Sequence, residues 1–127
     1  MTTKSPVTTT LFLGNSFTKS SKYDIPSEID KLAAKLGMGH TSLAESKICI
    51  RSGMPFAFYL NDKGGKLAEY LKDKSDVTHI VLQEPSCKPW RNPTKFREAV
   101  LGLMSKFRKQ YPTCKIVLYQ TQCWTEL

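Results

Sequence analysis

The sequence predicts an α/β fold in three layers, a flavodoxin-like parallel sheet with helices on both faces. Three observations predict it. Strand-like runs recur at about residues 8–14, 41–50, 78–83 and 115–121. A helical pattern separates each run from the next, and this alternation argues for parallel strands. Right-handed crossovers then place helices on both faces of the sheet. With 127 residues the chain suits one domain with one modest core. We read 1–127 as a single domain and 1–7 as a loose N-terminal end.

The first strand is Thr8 to Gly14, a β-branched and apolar run that fits a strand buried on both faces. Thr18 to Lys22 read as a polar loop. A helix is expected from Ile25 to Leu36, with Pro26 in its first turn and Gly37 closing it. Ile25, Ile29, Leu32, Ala33 and Leu36 share one helical face, expected to point inward. The second strand runs from His40 or Thr41 to Ile50. Glu45 and Lys47 lie inside it, which suits a sheet edge. Phe56 to Leu60 fit a short helix, and Lys66 to Lys72 another, with Leu67, Tyr70 and Leu71 inward.

The third strand, Thr78 to Gln83, ends on the polar Gln-Glu-Pro-Ser. Asn92 is a good N-cap and Pro93 a good first residue for a long helix. Its face is Phe96, Val100, Leu103, Phe107 and Tyr111, and Pro112 stops it. Lys115 to Thr121 form the fourth strand. The sequence ends soon after, with no helix to cover that edge. We therefore expect the domain to be incomplete at its C-terminus. A bare edge strand there would favour dimerisation.

Composition narrows the classes. Hydrophobic residues make up 40% and charged residues 24%, ordinary for a globular protein. No apolar stretch is long enough to span a bilayer, and no apolar signal-type segment precedes the first strand. A cytoplasmic location is the natural expectation. Cys49, Cys87, Cys114 and Cys123 show no zinc-like spacing, so no metal and no cofactor is expected. Cys49 and Cys114 fall on strand-like runs and read as reduced core thiols. The net charge of +8 attracts phosphates or nucleic acid. Its lysines and arginines are dispersed, however, and we read most as solvated faces. No nucleic-acid motif is present.

Three polar strand ends should meet, because parallel strands put their carboxyl ends at one rim. These are Ser16, the Arg51-Ser52-Gly53 break and Gln83. Gly14 lets the chain leave the first strand at an unusual angle, and Asn15 tolerates turn geometry. Ser16 then sits where open α/β sheets place their ligands. Taken alone, Gly-Asn-Ser is a weak signal, and a plain turn with Ser16 as a helix cap accounts for it. Beside a backbone amide and a carboxamide, the hydroxyl becomes equipment for acyl transfer: a nucleophile with oxyanion donors.

Phe12-Leu13-Gly14-Asn15-Ser16-Phe17-Thr18, with Val81-Leu82-Gln83-Glu84-Pro85-Ser86, resembles the SGNH/GDSL hydrolase superfamily, in its Gly-Asn-Ser branch. Leu118 to Trp124 is similar to the strand and turn that follow in that branch. The resemblance implies a serine esterase, lipase or carbohydrate deacetylase on an SGNH-hydrolase-type sheet. It implies Ser16 as nucleophile, Gly53 as the family's glycine donor and Gln83 where many members carry an Asn donor. It also implies a general base from an Asp-x-x-His motif near the C-terminus.

That base is where the sequence departs. Its histidines are His40 and His79. Asp76-Val77-Thr78-His79 spells the motif but opens the third strand. At about 3.3 Å per residue, His79 lies about 15 Å from the rim that carries Ser16, far beyond the contact a base needs. His40, beside the Gly37-Met38-Gly39 turn, is also near the wrong rim. Glu84 reads as a solvated turn residue. Phe56, Phe58 and Tyr59 read as a satellite core cluster rather than an acyl pocket; Trp90 and Trp124 are candidates to flank a sugar or acyl group, with packing as cover for the missing edge the plain alternative for Trp124. The expected function is hydrolysis of a small-molecule or carbohydrate ester by a partial SGNH domain. The alternatives are an inactive SGNH-like binding domain and, ranked below both, a basic nucleic-acid-binding domain.

Overall fold

In the computed structural model, the residues described are 7–15, 18–22, 24–51, 56–83 and 91–119. Strand β1 (Thr8–Leu13) is the spine. Leu11, Phe12 and Leu13 are consecutive and all nearly fully buried. Successive strand residues point to opposite faces, so both faces of the sheet are covered along β1. Around it the sheet is parallel in the order β2-β1-β3-β4, with β2 (His40–Leu43), β3 (His79–Leu82) and β4 (Lys115–Leu118). Thr10 pairs with His79, Leu13 with Leu82, and Leu82 with Leu118. The α/β class with a flavodoxin-like parallel sheet follows directly.

Among the described residues, four helices accompany the strands: α1 (Ile25–Lys35), α2 (Phe56–Asn61), α3 (Lys66–Leu71) and α4 (Pro93–Gln110). Asp24 caps α1 by accepting from the Ser27 N–H at 3.1 Å. Asn92 caps α4 by accepting from the Lys95 N–H at 3.1 Å, with proline just inside. The core joins Leu11, Leu13, Ile80 and Leu82 of the sheet to Phe56 and Tyr59 of α2, Leu67 and Leu71 of α3, and Val100, Leu103 and Phe107 of α4. Phe56 stacks on Phe96 with ring centroids 5.9 Å apart, and α2 packs on α4. Cys49 and Cys114 are buried free thiols.

Two expectations are corrected. The second strand stops at Leu43 and does not run on to Ile50. Lys47 adopts φ 70°, which a strand excludes. The chain there folds into a turn whose Glu45 carbonyl accepts from the Cys49 N–H at 2.8 Å. Ile50 then rejoins the sheet through a single parallel bridge to Gly14. The second correction concerns α1. Its apolar stripe is not inward: Leu32 and Leu36 are 58% and 66% exposed. The helix packs on β2, which is the sheet's edge. Beyond that edge no described strand lies beneath the stripe. At the other edge, Val117 and Leu118 of β4 are also exposed.

Candidate functional site

At the end of β1 the chain turns at Gly14 through a tightly bonded frame. The Gly14 N–H donates to the Cys49 carbonyl at 3.0 Å, and the Arg51 N–H donates to the Gly14 carbonyl at 3.0 Å. The buried Tyr59 hydroxyl also donates to the Gly14 carbonyl, at 2.6 Å, with the Cys49 carbonyl 2.9 Å away. A Cβ at Gly14 would stand 2.5 Å from Thr18 Oγ1 and 2.8 Å from Gln83 Oε1. Glycine is therefore required here by close approach.

Gln83 follows β3 directly and is buried, as are Asn15 and Thr18. Its Oε1 accepts from the Asn15 N–H at 3.1 Å and from the Thr18 hydroxyl at 2.5 Å. Its Nε2 donates to Asn15 Oδ1 at 2.6 Å. A backbone N–H can only donate, so the contact to Asn15 fixes which end of the Gln83 amide is oxygen. The Asn15 carbonyl in turn accepts from the Thr18 N–H at 2.9 Å, closing the turn, and the Thr18 carbonyl accepts from Ile25 at the start of α1.

Of the three residues singled out from the sequence, Gln83 is among those described, and it sits beside Gly14 and Asn15. Ser16 and Gly53 lie outside the described residues, as do Glu84, Cys87, Trp90, Cys123 and Trp124. The described residues nearest them in the chain, Asn15 and Thr18 around Ser16 and Arg51 ahead of Gly53, meet at the end of β1. Asn15, Thr18 and Tyr59 were not singled out as site residues. The available signal was Thr18, a hydroxyl two positions past Ser16, and a tyrosine in the mostly apolar run Phe56–Leu60.

Neither histidine is near this turn. His79 pairs in register with Thr10, four positions before Gly14, or about 13 Å along a strand. Its Nδ1 lies 2.9 Å from Thr78 Oγ1, which also bonds the Thr9 backbone. His40 joins Thr10 Oγ1 at 2.8 Å to Asp30 Oδ1 at 2.6 Å, tying β1, β2 and α1 together. The Ser42 hydroxyl donates to the same Asp30 oxygen at 2.9 Å. Among the described residues no group of three His, Cys, Asp or Glu side chains is placed to hold a metal ion. No described helix is long and apolar enough to cross a membrane. Burial pushes the Cys49 thiol up to about 12, so it is neutral and unreactive at physiological pH.

No family model matches the sequence, and no curated protein does. Among solved structures, a protein from Slackia heliotrinireducens described as a putative SGNH hydrolase is similar, with a TM-score of 0.67 and 26% identity. The match takes in 91% of this chain and 57% of that one, so the chain spans little more than half the length of that structure. The fold is thus SGNH-hydrolase-like.

Proposed function

We propose that the chain is the front part of an SGNH-type serine hydrolase that cleaves an ester, with Ser16 as nucleophile. A carbohydrate O-acetyl group is the substrate class that the resemblance favours. The observation that carries the reading is the buried frame at the end of β1. It clamps Asn15 and Thr18, on either side of Ser16 in sequence, through the Gln83 carboxamide. In this reading Gln83 positions the nucleophile turn and contributes its amide to the oxyanion site together with Gly53. A rigid, preorganised donor set of this kind lowers the barrier because it needs no rearrangement as charge develops.

The base would come from residues beyond Leu127. Two observations support that placement. His40 and His79 are both committed elsewhere in the sheet, and the chain spans only 57% of its structural neighbour. An unassisted serine is a poor nucleophile, although oxyanion donors alone retain some rate over water. The test is turnover of a small aryl acetate by the protein isolated from its source, with its intact mass measured alongside. Hydrolysis that falls about a thousandfold or more in Ser16→Ala, in a protein clearly heavier than 14.4 kDa, supports the reading. A folded protein of 14.4 kDa with no turnover supports the inactive binding domain instead.

A further inference from the structure

On the Arg51 side of the Gly14 turn lies a cleft of about 220 Å³. Lys47, Arg51, Lys63 and Lys66 line it, around Phe58 and Tyr59. The carboxylate that also lines it, Asp62, is committed: its two oxygens accept the Leu67 and Ala68 N–H groups of α3, each at 2.9 Å. Among the described residues none of the four cations forms an ion pair. The Arg51 guanidinium rests 4.7 Å from the centre of the Phe58 ring, which holds its plane. The non-glycine residues with positive φ among those described are Lys47, at 70°, and Asp62, at 43°. Both line this cleft. Such conformations cost on the order of 1 kcal/mol each and gather at ligand sites. Four cations against one carboxylate leave the cleft net positive, which a bound anion would offset.

The cleft shares two residues with the Gly14 turn. Arg51 lines the cleft and bonds Gly14 with its backbone, and Tyr59 lines it and bonds Gly14 with its hydroxyl. Its volume is below the roughly 300–1,000 Å³ of sites that enclose a whole drug-sized ligand, so it suits a head group. We propose that this cleft binds the anionic group, phosphate or carboxylate, of the ester substrate whose scissile bond reaches Ser16. This rests on the hydrolase reading above. Arg51 offers a planar fork that matches either oxyanion, and the lysines add point charges.

Calorimetric titration tests it, using inorganic phosphate, glucuronate and glucose as probes at about 50 mM salt, with Ser16→Ala protein so that nothing is turned over. Phosphate or glucuronate should bind while glucose does not, and the tighter of the two identifies the group. The double variant Arg51→Gln/Lys66→Gln should weaken that binding by about tenfold or more, through lost charge-assisted bonds. Lys95→Gln/Lys109→Gln, which removes the same charge from α4, should leave it unchanged. Absence of binding by both anions, or equal weakening by both double variants, overturns the proposal. Labelling of Ser16 by a neutral fluorophosphonate in protein with Arg51 and Lys66 intact separates the two readings. If Ser16 takes the label while the Ser16→Ala protein binds neither anion, the cleft fails and the hydrolase stands.

Discussion

Gly14 has no room for a side chain. An added methyl would press on Thr18 Oγ1 and Gln83 Oε1, the two atoms that hold the turn together. Gly14→Ala should therefore destabilise the fold by about 1–3 kcal/mol, as overpacking does, read from the shift in a urea unfolding midpoint. Three poorly solvated groups, Tyr70 among them only partly buried, make a second prediction at this scale. Burial pushes Cys49 from 9.0 to about 12 and Tyr70 from 10.0 to about 12, and it raises Tyr111 as well. Each is neutral when protonated, so the folded chain keeps protons that the unfolded chain gives up. Their contribution to stability is complete below about pH 9 and is lost as the pH rises towards 12. Denaturant midpoints measured from pH 8 to pH 11 should fall, and Cys49→Ala should flatten the decline.

Capping and packing decide the elements. Asn92→Ala removes the side chain that accepts the Lys95 N–H and should cost about 1 kcal/mol, measured by thermal unfolding. Leu36→Glu should change stability by less than about 0.5 kcal/mol, because Leu36 is 66% exposed. An inward stripe on α1 would instead give a loss of several kcal/mol. The Asn92 cap, the four strands and the α4 face were legible because each follows from local chemistry: Asn92-Pro93, the β-branched run to Leu13, the spacing of Val100, Leu103 and Phe107. Exposure of the α1 stripe was not legible. The helix is amphipathic in sequence, and only the sheet order places it over an edge strand. The turn at Lys47 was hidden for a similar reason, since a lysine carries no signal for positive φ.

At the scale of the whole molecule, parallel strand order brings separated residues to one rim. Gln83 is 68 positions from Asn15, yet the Leu13–Leu82 pairing makes their contact unavoidable. That convergence was foreseeable from the alternation of strands and helices. The clustering of Lys47, Arg51, Lys63 and Lys66 was not, because their charges are dispersed along the chain and meet only when α2 and α3 fold against the turn. The same sheet order keeps His40 and His79 from the Gly14 turn, which is why the proposed hydrolase needs its base from elsewhere. The most direct measurement is fluorophosphonate labelling of the protein isolated from its source, followed by peptide mass spectrometry. The account predicts one adduct, on Ser16, absent from Ser16→Ala. A folded protein that takes up no label, or one labelled equally in the variant, would contradict it.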